Sequence, residues 1–263
     1  MSSSPYLSVI LPAYNEAASI RRTLASVRAF LDAQGFEYQV IVAADGSDST
    51  PEIVREVARD WPALQLTAEK GRRGKGHGLK RGMRLATGEI IGFLDADYKT
   101  PIDEFAKIVP WFSEGYQLVA GSRGLGDSRV VRKQRVYRQL GSRVFALGMH
   151  WIVGIRHIRD TQCGFKFFTR AAAREIFSRA RIDGYMCDVE ILWLAQLLGY
   201  QVREVGVIWS DDGDSRLELV SGNFRNFLDL FRIRFGRYGA STRLVELRDP
   251  ALAAPLAGHQ SEP

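Results

Sequence analysis

A chain of 263 residues, 46% apolar and 25% charged, is a globular protein with ample material for a buried core. Its longest uncharged apolar stretch, Val144 to Ile155, is too short to cross a bilayer as a helix, and no basic start leads into an apolar core as in a signal peptide. The net charge of +6 calls for an acidic partner, either a phosphorylated small molecule, an anionic lipid or a nucleic acid.

In chain order, Ser2 to Pro5 open residues 1–5 as a flexible start. Leu7 to Leu11 is an apolar run broken by Pro12, and Ile20, Leu24 and Val27 then recur at helical spacing. Tyr38 to Ala43 reads as the next strand, ended by Asp45-Gly46-Ser47. Thr50-Pro51-Glu52 opens a helix with a cap residue and a first-turn proline. Leu64 to Thr67 predicts a third strand, Leu79 to Ala86 a helix and Glu89 to Leu94 a fourth strand. This alternation predicts an α/β fold with a mainly parallel sheet between layers of helix. After Pro101 come a helix to Phe112, a strand at Gln117 to Ala120 and a long basic helix from Val131 to Val153. Next follow a strand at Gly164 to Thr169, helices at Ala171 to Phe177 and Val189 to Leu198, a strand at Val202 to Ile208 and an amphipathic helix from Leu219 to Phe235. Without repeat or linker, residues 6–240 form one domain, and 248–263 is an Ala/Pro-rich tail. Cys163 and Cys187 lack metal-ligand spacing and read as reduced cytosolic thiols.

The chemistry lies in the loops after the strands. Asp95-Ala96-Asp97 follows Ile90 to Leu94 and holds two carboxylates at the carboxyl edge of the sheet, where open α/β sheets bind ligands. Hard oxygens suit magnesium or manganese arriving with substrate phosphates. Pro12-Ala13-Tyr14-Asn15-Glu16 offers an aromatic face and a carboxylate. Asp45 offers an acceptor for a base or ribose. From Lys70 to Gly78, glycines permit close backbone approach and basic side chains can meet a phosphate, although the P-loop spacing is missing. Positive charge peaks from Ser128 to Arg159, with eight Lys or Arg and no acid. Followed by Val144, Phe145, Leu147, Met149 and Trp151, residues 129–156 read as an amphipathic element resting on an anionic bilayer. Zinc-finger, RNP-type and helix-turn-helix signals are absent, which argues against a nucleic-acid partner.

Ser8 to Glu16, Ala44-Asp45-Gly46-Ser47, Gly74-Lys75-Gly76, Asp95-Ala96-Asp97 and Gly121-Ser122-Arg123 together resemble an inverting family 2 glycosyltransferase of the GT-A fold, a Rossmann-like nucleotide-diphospho-sugar transferase architecture. Arg159 to Lys166, with Asp188-Val189-Glu190, narrows the resemblance to the dolichyl-phosphate or polyprenyl-phosphate mannosyl- and glucosyltransferases. The resemblance implies a UDP- or GDP-hexose donor, Mg2+ or Mn2+ on Asp95 and Asp97, and a polyprenyl phosphate acceptor. It implies that Pro12, Ala13, Tyr14, Glu16, Asp45, Lys75, Asp95 and Arg216 bind the nucleotide sugar. Arg123, Arg138 and Ser142 match positions that meet the acceptor phosphate. Asp97, Arg123, Arg138 and Asp188 would be the catalytic set.

Three departures stand out: Ala44 in place of the first acid of Asp-Asp-Gly-Ser, Lys99 where some relatives carry a metal-binding glutamine, and Ser210 where some carry arginine. A phosphate nucleophile is already ionised and needs cations, not a base. A sugar or lipid hydroxyl would need one, which Asp188 or Glu190 could supply; their other reading is as caps of the following helix. A nucleotide-sugar binder without activity is a further alternative. The expected location is the cytoplasmic, inner face of a membrane, as a peripheral protein.

Overall fold

The computed structural model describes residues 4–130, 152–155, 157–210 and 221–238. β1 (Leu7–Tyr14), β2 (Tyr38–Gly46) and β3 (Leu64–Lys70) lie parallel, with α1 (Ile20–Asp32) and α2 (Thr50–Ala58) as their crossovers. α3 (Lys75–Leu85) leads back to β4 (Ile90–Leu94) on the other side of β1. A 3-10 segment (Ile102–Lys107) and α4 (Val109–Ser113) precede β5 (Leu118–Ser122). A two-residue β6 (Arg129–Val130) comes next. β7 (Phe165–Thr169), α5 (Arg170–Arg179), α6 (Cys187–Leu197), β8 (Val202–Gly206), β9 (Ile208–Trp209) and α7 (Ser221–Phe235) complete the described chain. The main sheet runs β3-β2-β1-β4-β7-β5-β8, with β7 antiparallel to both neighbours. β6 and β9 make a separate pair. Winding reverses between β1 and β4, so the crevice for a ligand opens at their carboxyl ends.

Both faces of the sheet are covered. Ile20, Leu24, Val27 and Leu31 of α1 pack with Val54 of α2, Phe105 and Phe112 on one face. Leu79 and Met83 of α3, Ile176 of α5, most of α6, and Leu230 and Ile233 of α7 pack on the other. β4 serves both layers, sending Ile90 and Leu94 to the first and Ile91 and Phe93 to the second. Each such side chain, fully buried, contributes about 1.5–3 kcal/mol.

Several boundaries differ from the sequence expectation. β1 continues through Pro12 to Tyr14, because β4 pairs with it only from Leu7 to Ile10, and beyond that point a residue without an N–H is tolerated. The glycine-rich stretch is not loop throughout. Lys75 opens α3, since Gly76 lets the helix press on the loop after α5, where a Cβ would overlap the Ile182 carbonyl. The expected helix before Phe112 divides around Pro110, which lacks an N–H. The expected strand from Val202 to Ile208 splits into β8 and β9. Of the expected basic helix, residues 131–151 lie outside the described residues, as does the tail from 239 onward.

Candidate active site

One end of the site is built from the β1 and β2 loops, where the sequence reading expected the nucleoside. Asn15, in left-handed conformation at φ 53°, accepts through Oδ1 from the Ser47 N–H (2.9 Å) and the Asp48 N–H (3.3 Å). Asp48 in turn accepts from the Ala17 N–H (2.9 Å), and the Thr50 hydroxyl oxygen accepts from the Glu16 N–H (2.8 Å). These bonds make one wall of the two loops. The Glu16 carboxylate accepts from the Ser19 hydroxyl (2.6 Å) and so braces the start of α1. Tyr14 lies beneath the Arg72 guanidinium, 5.0 Å from its ring centre. Ala13 buries its methyl in the core, leaving only its main chain to face a ligand, while Pro12 is half-buried beside it.

Asp45 is nearly buried at the end of β2 and pairs with Arg81 Nη2 at 2.9 Å. Burial raises its carboxyl above the ordinary value, with Arg81 opposing. Arg81 also donates to the carbonyls of Ala44 (3.1 Å) and Thr67 (3.3 Å) and faces Glu69 at 3.2 Å. Sequence reading missed this buried arginine, whose signal is that it shares the helix face of Gly78 and Gly82, the face pressed to the sheet. Ala44 points to the opposite face of β2, into the apolar layer of α1 and α2.

Around the Asp95-Ala96-Asp97 turn the charges form a chain. Lys75 Nζ lies 2.9 Å from Asp95 Oδ1 and 2.8 Å from Asp188 Oδ2, and Lys166 Nζ lies 2.7 Å from Asp188 Oδ1. Lys166 also donates to the carbonyls of Cys163 (2.6 Å) and Thr161 (3.2 Å). The Asp95 N–H donates to the Gly164 carbonyl (3.1 Å), and a Cβ at position 164 would overlap the Asp95 carboxylate where it now lies. Lys99 Nζ lies 2.8 Å from Asp97 Oδ2.

Burial raises the Asp95 carboxyl, Lys75 pulls it back, and Asp97 and Asp188 push it up again; the net direction is upward. Burial disfavours the Lys75 ammonium, yet Asp188 and Asp95 raise its pKa well above the usual lysine range. Asp188 is fully buried; burial pushes its carboxyl up, but Lys166 and Lys75 outweigh this and hold it below its ordinary value. A carboxylate held ionised between two ammonium groups is a poor proton acceptor.

Asp95 and Asp97 keep 42% and 33% of their side-chain surface exposed and offer hard oxygens. The donor set fits magnesium or manganese. No group of three His, Cys, Asp or Glu that could hold a metal occurs among the described residues. Asp95 and Asp97 would supply two oxygens to such an ion, which as a rule takes its remaining ligands from substrate phosphate and water.

After β5, Asp160 accepts from the Arg123 main-chain N–H (2.9 Å) and Nε (2.7 Å) through Oδ2 and from Nη2 (2.9 Å) through Oδ1. Burial disfavours charge on both, but the pair raises the arginine and lowers the carboxyl from their ordinary values. The guanidinium also lies over the Trp209 ring, 5.3 Å from its centre. Arg123 was expected to grip phosphate with its fork; that fork is taken by Asp160, and the outer edge remains for a ligand. Tyr185 joins this neighbourhood, its phenol pushed up to about 12 by burial, with Arg123 and Lys75 opposing.

Glu190 is a brace. Its Oε1 accepts from the Arg181 N–H (2.8 Å) and the Tyr238 hydroxyl (2.7 Å), and its Oε2 from the Ile182 N–H (2.9 Å). These bonds commit both Glu190 oxygens to the loop after α5 and to Tyr238 beyond α7, while burial raises its carboxyl above the ordinary value with the same hydrogen bonds opposing. Arg138, Ser142 and Arg216 lie outside the described residues. Ser210 donates its N–H to the Lys99 carbonyl (3.0 Å), which ties the segment after the Asp95-Ala96-Asp97 turn to the end of β9.

The sequence profile of glycosyl transferase family 2 matches residues 8–177. The dolichyl-phosphate beta-glucosyltransferase of Dictyostelium discoideum is 36% identical over 246 residues, which span 88% of this chain and 74% of that protein. The Drosophila melanogaster protein of that name is 33% identical, spanning 88% and 75%, and the human one 29%, spanning 94% and 80%.

Among solved structures, glucosyl-3-phosphoglycerate synthase from Mycobacterium tuberculosis in complex with UDP superposes with a TM-score of 0.62 at 23% identity, covering 90% of this chain and 82% of the other. The mannosyltransferase PcManGT from Pyrobaculum calidifontis with GDP-Man and Mn2+ gives 0.52 at 23%, covering 82% and 59%. The fold is GT-A, as the sequence motifs implied. A profile match over most of the strands that build the site, joined by relatives above 30% identity along most of both chains, establishes that this chain belongs to glycosyltransferase family 2.

Proposed function

We propose that the protein transfers glucose from UDP-glucose to a polyprenyl or dolichyl phosphate with inversion at the anomeric carbon. The observation that carries this reading is Asp188. A hydroxyl acceptor needs a base, and the two carboxylates that sequence offered for it are both committed, Asp188 to Lys75 and Lys166 and Glu190 to the loop after α5 and to Tyr238. A phosphate monoester needs none, since it reaches the site ionised. The relatives' names support glucose and dolichyl phosphate.

In the reaction, an acceptor phosphate oxygen forms its bond to the anomeric carbon as the bond to the diphosphate oxygen breaks. Tyr14, Glu16 and Asp45 line the nucleoside end with the main chain of Pro12 and Ala13, and Lys75 faces the diphosphate. Asp95 and Asp97 would hold Mg2+ or Mn2+, which when bound would supply charge stabilisation to the leaving diphosphate. Arg123, with Arg138 and Ser142, orients the acceptor phosphate, and Arg216 adds positive charge for either phosphate. The protein works as a peripheral enzyme on the cytoplasmic face of an anionic membrane. Residues 129–156 support this by composition, and α7 supports it by exposing Phe227, Leu228, Phe231 and Phe235. No helix of the described residues is long and apolar enough to cross a membrane.

The test offers UDP-glucose with a short polyprenyl phosphate or with the matching polyprenol. Product on the phosphate alone is the expected result, and product on the alcohol contradicts the acceptor reading.

A further inference from the structure

The loop from Asp160 to Gly164 joins the two ends of the site. On one side the Gly164 carbonyl accepts from the Asp95 N–H (3.1 Å), which carries the antiparallel pairing of β4 and β7 one residue past Leu94 and Phe165. On the other, Asp160 holds Arg123 through its carboxylate and is itself fixed by Glu204, which accepts from the Asp160 N–H at 2.9 Å. Between these anchors the main chain is committed. The Gln162 N–H donates to Asp160 Oδ1 (3.2 Å), and Lys166 takes the carbonyls of Thr161 (3.2 Å) and Cys163 (2.6 Å). The Cys163 side chain is buried in the apolar layer of α1. The Gln162 side chain is different. Its Oε1 and Nε2 are both shut off from solvent, and neither makes a hydrogen bond. A carboxamide left in this way costs stability, because it gives up its bonds to water and gains none in return. Proteins keep such a cost chiefly at functional positions, where a ligand completes the bonds.

We propose that Gln162 recognises the transferred hexose, its carboxamide accepting from one sugar hydroxyl and donating to another. The role rests on UDP-glucose as the donor and a phosphate as the acceptor. With the diphosphate at Lys75, Asp95 and Asp97 and the acceptor phosphate at Arg123, the sugar must lie between them, and residue 162 stands midway along the loop that links Asp95 to Arg123. A hydroxyl both donates and accepts, and so does a carboxamide. The group is also neutral, so it adds nothing to the hold on the diphosphate and its contribution falls on the sugar alone. A site that hydrogen-bonds a substrate hydroxyl rejects the analogue that lacks it.

The experiment measures, by calorimetry with Mn2+, the binding of UDP, of UDP-glucose and of UDP-glucose analogues that each lack a single sugar hydroxyl. The proteins are wild type, Gln162→Met and Gln162→Ala, and the melting temperature of each is taken without ligand. Only binding is read, so the acceptor does not enter. Wild type is expected to lose roughly three- to tenfold in affinity with the analogue that lacks a bonded hydroxyl. Gln162→Met keeps the length of the side chain and removes its polar atoms. It is expected to bind UDP as wild type does, to bind UDP-glucose roughly three- to tenfold more weakly, and to lose the discrimination against that analogue. Its melting temperature should equal or exceed that of wild type, since no hydrogen bond leaves with the amide. Gln162→Ala is expected to give the same donor pattern, and serves if methionine does not fit the loop. Wild-type discrimination retained in both variants overturns the proposal, as does an equal loss of affinity for UDP and UDP-glucose. A lower melting temperature in Gln162→Met with donor discrimination intact would mean that the amide is bridged by a buried water, and overturns it as well. If wild type binds GDP-mannose and not UDP-glucose, the donor reading falls and the proposal falls with it. UDP-glucose bound alike by wild type and both variants keeps the donor reading and overturns only the role of Gln162.

Discussion

At the scale of single residues, the site depends on where each carboxylate finds its cation. Asp97 has an exposed face and one lysine, so it is open to exchange; Asp188 has two lysines and no exposed surface, so it is fixed. Substituting Asp97→Ala is therefore expected to lower turnover about a hundredfold or more while leaving thermal stability near wild type. Equal turnover in the variant would contradict its place in the metal site. Gly164 acts through shape. A methyl there overlaps the Asp95 carboxylate, so Gly164→Ala is expected to move Asp95 and weaken Mn2+ binding in the presence of UDP, as read by electron paramagnetic resonance.

At the scale of elements, the buried pair between β7 and α6 is structural as well as electrostatic. Lys166→Met leaves Asp188 with Lys75 alone and strips two carbonyls of their donor. Breaking a buried pair from one side costs about 3–5 kcal/mol, and chemical denaturation should show a loss of that order. Acid should act on the same contacts. Asp188 and Asp160 titrate below their unfolded values, so the stability they add is complete above the unfolded carboxylate range and is lost as pH falls through the folded values. The denaturation midpoint should hold steady down to about pH 5 and fall below about pH 4. A midpoint that rises on acidification would contradict the two pairings.

These pairs also show what was legible in the sequence. The apolar runs announced β1 to β4 and the Asp-Ala-Asp turn after them, because a buried strand must be apolar and must stop where the chain turns polar. Strand ends were misread at Pro12 and Asp45, since a parallel ladder carries polar residues along once its neighbour is in register. The start of α3 was missed because glycine disfavours helix locally, while close packing against Ile182 rewards it. Arg123 with Asp160 and Lys166 with Asp188 are separated by 37 and 22 positions, and no local pattern links a charge to a partner so distant.

At the scale of the molecule, the fold gathers the β1 and β2 loops, the Asp95-Ala96-Asp97 turn and Arg123, just past β5, along one edge of the sheet. α7 leaves an apolar stripe in solvent, with Phe227, Phe231 and Phe235 in successive ring contact and Arg232 and Arg234 between them. A stripe of that composition suits an anionic lipid surface. Replacing Phe231 and Phe235 together by serine is expected to reduce sedimentation with phosphatidylserine liposomes several-fold while leaving UDP affinity unchanged; undiminished sedimentation would remove α7 from the membrane face. The central claim is tested most directly by following label from UDP-glucose and GDP-mannose, in parallel, into a short polyprenyl phosphate, with Mn2+ or Mg2+ and with EDTA. Label entering the lipid phase from UDP-glucose, and only with metal, is the result expected. Donor hydrolysis with no labelled lipid, or transfer undiminished by EDTA, would contradict it.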